Sequence, residues 1–151
     1  MTPRLETITP DNVVAACRVT VRPDQQDVVS PVSWSLAEAY ANPTTAWPRL
    51  ILDGDKAVGF VMAGFDPDGP VDAFRCAVWR LNIAADAQGR GYGRFAIEAV
   101  SAEARSRGQR RLTVLWLPHE HGPEQFYLKL GFRPTGEVIE NEIVGELLLA
   151  D

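Results

Sequence analysis

The chain has 151 residues, enough for one domain with a proper core, and its 46% hydrophobic and 23% charged content is that of an ordinary globular protein. A net charge of -5 and an isoelectric point near 5.0 argue against a nucleic-acid or anionic-membrane partner and suit a cationic small molecule. Cys17 and Cys76 form neither a paired spacing nor a metal motif, which leads us to expect free thiols and a cytoplasmic location. No apolar segment reads as a signal peptide or approaches membrane-spanning length. A single domain, 1–151, is expected.

Residues 5–8 read as a short first strand. Thr9-Pro10-Asp11 offers an N-cap, a proline at the first helical position and an acid in the first turn. This predicts a helix through Val13, Val14 and Cys17 that breaks near Pro23. Ser33 or Ser35 is placed to cap a second helix through Leu36, Ala39 and Tyr40, and Asn42-Pro43 stops it. Residues 49–52, the turn Asp53-Gly54-Asp55 and residues 57–65 predict a hairpin. After the loop 66–70, residues 71–83 read as one long strand. Phe95, Ala96, Ala99, Val100 and Ala104 recur with helical spacing up to Arg107-Gly108. Residues 111–117 predict a strand, 123–130 a short helix stopped by Gly131, and 138–139 with 143–149 the strands that close the sheet. The order β-α-α-β-β-β-α-β-α-β-β is mixed α/β (α+β) on a largely antiparallel sheet.

Gln88-Gly89-Arg90-Gly91-Tyr92-Gly93 lies between the long strand and the following helix. Alternate glycines let backbone N–H groups approach a ligand with no Cβ in the way, and they reach positive φ without strain. A loop of this kind that opens a helix is a phosphate cradle, because orphan N–H groups and the positive end of the dipole converge there. A P-loop would need Lys-Ser/Thr after the last glycine, and Arg94-Phe95 follows instead. A dinucleotide fingerprint would need glycine at Arg94 and an acid near Leu115-Trp116-Leu117, which is apolar. Both uses are disfavoured.

The pattern Gln-x-x-Gly-x-Gly resembles that of the GNAT superfamily of N-acetyltransferases. Phe126-Tyr127-Leu128-Lys129-Leu130-Gly131-Phe132 resembles the family's second signature, and a strand stands between the two. The resemblance runs from Leu5 to the end of the chain. Residues 134–140 with Glu142-Ile143-Val144, and residues 25–30 with Ser35-Leu36-Ala37-Glu38, are similar to the diamine/spermidine acetyltransferase-like branch. The resemblance implies a GNAT-like fold, a twisted central sheet flanked by about four helices with strands splayed at an acetyl-CoA cleft. It implies an acyltransferase that moves acetyl from acetyl-CoA to a primary amine of a small molecule, a polyamine being one such acceptor, by direct attack. A homodimer is an expectation from the family as well. The alternatives are another acceptor (an antibiotic, an amino acid or a protein N-terminus) and a non-catalytic acyl-CoA-binding module.

The same resemblance implies residue roles. Pantetheine would pair with the backbone of Leu81, Asn82 and Ile83, and the pyrophosphate would lie over Gln88, Gly89, Arg90, Gly91, Tyr92, Gly93 and Arg94. Glycine N–H groups suit that task and the two arginines add positive charge, although each arginine reads equally well as a solvated surface cation. Tyr127 matches the family tyrosine that protonates the departing thiolate; its reference pKa of about 10 exceeds a thiol's, about 8.5, so the phenol is a protonated donor. Its plain structural reading is a core aromatic beside Phe126. The base stays open. Residues 75–83 contain no acid, and Glu38, Glu137, Glu140 and Glu142 are candidates for base or for substrate-attracting charge, a water chain being the other route. Glu38, Glu137 and Glu140, with Trp34 as an aromatic face for a cation, are expected around the acceptor. Trp116 reads as core. His119-Glu120-His121 lacks a third strong ligand, so no metal is expected. His121 stands where the family often has an asparagine, which leaves that contact undecided.

Overall fold

The computed structural model describes residues 2–150 and contains the elements in the predicted order. Strands β1 (Pro3–Glu6), β2 (Ala46–Asp53), β3 (Lys56–Phe65), β4 (Cys76–Ile83), β5 (Arg111–Trp116), β6 (Arg133–Ile139) and β7 (Glu142–Leu148) form one 7-stranded sheet. Its order is β1-β2-β3-β4-β5-β7-β6, and every pairing is antiparallel except β4 with β5. The helices are α1 (Val13–Cys17), α2 (Val32–Ala41), α3 (Tyr92–Ser106) and α4 (Glu124–Lys129).

Adjacent side chains on β4 show which helices cover which face, since neighbours in a strand point to opposite sides. Arg80 and Asn82 reach Glu38 on α2 and the Ser30 carbonyl before α2, whereas Leu81 lies beside Gly93 at the start of α3. Thus α1 and α2 cover one face, and α3 and α4 the other. Central strand β3 is buried on both faces, with Phe60, Val61, Met62 and Ala63 fully enclosed. Helix α3 contributes Ala96, Ile97, Val100 and Ala104, all buried and spaced for one helical stripe. Among the described residues no helix is long and apolar enough to cross a membrane.

Four local expectations are corrected. Helix α1 starts at Val13 rather than at Pro10, because the Asn12 side chain folds back onto Thr9: the Thr9 N–H donates to Asn12 Oδ1 at 2.8 Å. Neither Ser33 nor Ser35 caps α2. Pro31 is the N-cap, its carbonyl accepts from the N–H groups of Trp34 and Ser35, and Ser35 is buried within the helix. The long strand 71–83 splits, with a 3₁₀ turn over Asp72–Phe74 before β4 begins at Cys76. The buried Thr113 hydroxyl holds that turn by donating to the carbonyl of Ala73 at 2.5 Å, an anchor from a distant strand that local patterning does not reveal. Strand β6 also starts earlier than expected, at Arg133, because an edge strand tolerates Pro134.

Candidate active site

Parallel strands β4 and β5 pair only at Ala77↔Thr113 and Val78↔Val114, then part. Beyond that point β4 continues against β3 and β5 against β7, leaving a cleft of about 1360 Å³ between them. The parting coincides with a bulge. Met62 opposes Arg80 while Ala63 opposes Val78, so Trp79 is the extra residue, and a bulge of this kind re-aims side chains and ends regular pairing. Past Val78, the edge of β4 that faces the cleft has no strand partner, which frees the backbone of residues 79–83 to pair with an extended ligand.

One end of the cleft is built from backbone. Gly89 (φ 76°) and Gly91 (φ 88°) take left-handed conformations in open space, so conformation rather than room demands glycine there. Gly91 is the N-cap of the 15-residue α3, with no side-chain cap and no acid in the first turn. The N–H groups of Gly89, Gly91, Tyr92, Gly93 and Arg94 donate to no acceptor among the described residues. Orphan donors with the helix dipole behind them form a site for an anion such as pyrophosphate. A Cβ at Gly93 would stand 3.0 Å from the Phe126 ring, so glycine also lets α3 start against α4. Leu81, Ile83, Gln88, Gly89, Gly91, Tyr92, Gly93 and Arg94 line the cleft, and Arg90 and Asn82 do not.

Two polar side chains of this loop are engaged in architecture. The Gln88 amide donates to Gln25 Oε1 at 2.7 Å and to the Ile83 carbonyl at 3.0 Å, and Gln25 donates back at 3.2 Å. Together with the Asn82 amide on the Ser30 carbonyl at 3.0 Å, this pair clasps the α1–α2 connection over the cleft. Tyr92 is buried and its hydroxyl donates to Asp53, tying the start of α3 to the β2–β3 hairpin. That bond holds the Asp53 carboxyl below the usual carboxylate range and raises the phenol.

Tyr127 sits on α4 in an aromatic cage. It stacks on Trp116 at 5.8 Å and 17° and meets Phe126 and Phe132 edge-on at 5.1 and 5.4 Å. Burial pushes its phenol well above the ordinary tyrosine range, so it is protonated at any working pH. Its side chain lines the cleft, and no described residue hydrogen-bonds its hydroxyl. Trp116 is core, as its strand position indicates, and its ring occupies the space over Gly145 on β7.

The other end is built from side chains of distant elements. Exposed Trp34 and half-buried Glu38 come from α2, Arg80 from β4, Glu140 from the β6–β7 turn and Glu142 from β7. Arg80 donates to Glu38 Oε1 at 2.7 Å, so one carboxylate expected to meet the acceptor is already neutralised. Burial pushes the Glu142 carboxyl up, the Arg80 charge opposes that rise and Glu140 adds to it. Glu137 is not part of this wall. Its carboxylate accepts from the Thr135 hydroxyl at 3.2 Å and lies 3.9 Å from Arg111, in a surface cluster with Asp72 and Glu146. The irregularity in β6 between Pro134 and Val138 carries it there.

At the mouth of the cleft, His121 Nδ1 lies 3.6 Å from Asp24 of the α1–α2 connection, and the His121 N–H donates to His119 Nδ1 at 3.0 Å. No group of three or more His, Cys, Asp or Glu gathers to hold a metal among the described residues. Sequence reasoning missed Arg80 and Gln25. Arg80 had a signal, as a lone cation inside an apolar strand, whereas Gln25 lay in a segment marked only by its resemblance to a branch of the family, with nothing to announce its bond to Gln88.

Residues 12–132 match the model of the acetyltransferase (GNAT) family. No curated protein sequence matches the chain. Among solved structures, the fold is similar to an acetyltransferase from Thermus thermophilus (TM-score 0.78, 24% identity, 99% of this chain and 98% of that one). It is also similar to the paia N-acetyltransferase of Thermoplasma acidophilum in complex with coenzyme A (TM-score 0.73, 10% identity, 98% and 99%). A third similar structure is yncA of Salmonella typhimurium with its cofactor acetyl-CoA (TM-score 0.71, 15% identity, 100% and 96%). The structural likeness is one of fold, and the match over residues 12–132 carries membership: the chain belongs to the GNAT acetyltransferase family.

Proposed function

We propose that this enzyme acetylates a primary amine of a small molecule, using acetyl-CoA, by direct attack of the amine on the thioester. The observation that carries the reading is the parting of β4 and β5 with an anion cradle at one end and a buried, protonated tyrosine beside it. Bound acetyl-CoA supplies the activated acyl group. The N–H groups from Gly89 to Arg94 suit its pyrophosphate, the free edge of β4 around Leu81 and Ile83 suits pantetheine, and Arg94 adds positive charge. Tyr127 holds the proton that a departing thiolate needs.

Cys76 favours direct attack by its position. It is buried at the start of β4, outside the cleft wall, and burial pushes its thiol up to about 11, so it is no acyl relay. On the acceptor side Glu140 and Glu142 carry no ion pair among the described residues, and Trp34 offers an aromatic face. These groups, the net charge of -5 and the branch resemblance support a cationic amine, with di- and polyamines the first class to test. The reading takes 1–151 as the catalytic domain. It places the enzyme in the cytoplasm, where its free thiols accord with reducing conditions, and as a homodimer on family resemblance.

The test is thiol release from acetyl-CoA across putrescine, spermidine, an aminoglycoside, lysine, glutamate and an alanine-headed peptide, with Tyr127→Phe as control. Turnover with at least one amine that drops in the variant is expected. Coenzyme A binding with no amine-dependent release would leave only an acyl-CoA-binding module. Inert polyamines beside a reactive amino acid or peptide would move the acceptor class and keep the chemistry.

A further inference from the structure

We infer that Glu142 takes the proton from the acceptor ammonium, working from the opposite face of the sheet to Tyr127. This rests on the acetyltransferase reading above and names its missing base.

The placement follows from register. Strand β5 lies between β4 and β7 and ends at Trp116, which pairs with Ile143. The Trp116 ring stacks on Tyr127 and fills the space over Gly145, so Ile143 and Gly145 share the α4 face. Glu142 and Val144, alternating with them, point to the α1–α2 face. Arg80 on β4 uses that same face to reach Glu38. Glu142 and Arg80 therefore flank the open end of β5, from the two strands on either side of it.

The other carboxylates are unsuited. Glu38 is committed to Arg80, Glu140 is exposed in the hairpin turn, and Glu137 lies outside the cleft. Glu142 is half-buried on the cleft wall and has no hydrogen bond or ion pair among the described residues. The charges acting on it are Arg80 from β4 and Glu140 from its own hairpin. Asp27 from the α1–α2 connection, Glu38 from α2, Arg94 from α3, His121 before α4 and Lys129 from α4 share the same cavity wall. Burial raises the proton affinity of the carboxylate toward that of a working base.

An ammonium N–H bond breaks, and its proton passes to a Glu142 carboxylate oxygen and on to solvent. The freed lone pair forms the N–C bond to the acetyl carbonyl carbon. The C–S bond breaks with its electron pair on sulfur, which takes the Tyr127 proton. The second proton lost by nitrogen restores the phenol through solvent. Acid and base thus stand on opposite faces, with the gap between β4 and β5 as the place where they meet the reacting atoms.

The experiment uses the panel amine that turns over fastest, and coenzyme A alone for binding. Glu142→Gln is expected to lower kcat/KM by about 10²-fold near pH 7. The deficit should narrow toward pH of about 10, where the amine loses its proton in solution without help. Melting temperature and calorimetric coenzyme A affinity should stay unchanged. Independently of turnover, a ¹³C carboxyl resonance that vanishes in Glu142→Gln should titrate above the ordinary glutamate range. An undiminished rate, a loss of equal size at every pH, or a carboxyl titrating at or below the ordinary value overturns the inference. If Glu142→Gln unfolds, Glu142→Asp replaces it: a retained acid limb at reduced rate supports the role, and an unchanged rate overturns it. A wild type inert to every amine sinks the acceptor reading instead, and is distinguishable because it precedes any variant.

Discussion

The two ends of the cleft are made of different material. The donor end uses contiguous backbone: free N–H groups between Gly89 and Arg94, left-handed glycines and a helix terminus. The acceptor end uses side chains from α2, β4 and the β6–β7 hairpin, charged and open to water. Backbone recognition of pyrophosphate demands glycine at fixed spacing, so it leaves a mark in consecutive residues. A side-chain pocket assembled across the sheet demands no such spacing. The contrast predicts that substitutions at the two ends separate cleanly in binding and turnover.

The largest effect in that contrast is chemical. Tyr127→Phe keeps the cage with Trp116, Phe126 and Phe132, and steady-state kinetics should show kcat lower by about 10²-fold with coenzyme A affinity unchanged. Equal loss of affinity would make Tyr127 a structural residue. Next, Gly91→Val forces a β-branched residue into a left-handed conformation, which costs about 1–3 kcal/mol. Calorimetry should then read coenzyme A binding weakened about tenfold or more, and melting should fall by only several degrees, the fold being kept. A smaller loss would mean that the N–H cradle is not the anion site.

Much of the fold was legible because its signals are local. The Gly54 hairpin, the strand–glycine loop–helix passage and Gly131 after α4 follow from turn chemistry and periodicity. Other features were hidden for physical reasons. Pro31 outcompetes two serines for the N-cap because the chain enters α2 from an extended segment. The Asp72–Phe74 turn exists because Thr113, distant in sequence, holds it. Glu137 and Glu142 look alike in the sequence, and only the β6 irregularity and the alternation of β7 separate a surface cluster from the cleft wall. Arg80 meets Glu38 through a bulge that no composition announces.

Smaller effects sharpen the boundary between the ends. Gln88→Ala removes the clasp on Gln25, a loss of about 1 kcal/mol, and should raise the acceptor KM a few-fold while coenzyme A affinity changes less. Trp34 is 62% exposed, so Trp34→Ala should raise the acceptor KM by about two- to fivefold through a lost cation–π contact. No change would move the acceptor away from α2. The smallest is a pH effect. The Asp53 carboxyl is held low chiefly by the Tyr92 hydroxyl, so that stabilisation is complete above the ordinary aspartate pKa and is lost as pH falls through the lowered one. The melting difference between wild type and Tyr92→Phe should therefore be present at neutral pH and shrink in strong acid.

An amide ¹H–¹⁵N titration with coenzyme A tests the division of the cleft most directly. The amides of Gly89, Gly91, Tyr92, Gly93 and Arg94 and those of residues 79–83 on β4 should shift together. The amides of α2 and of Glu140 should stay in place until an amine is added. Shifts centred on α2 and the β6–β7 hairpin, with the glycine loop unmoved, would contradict it.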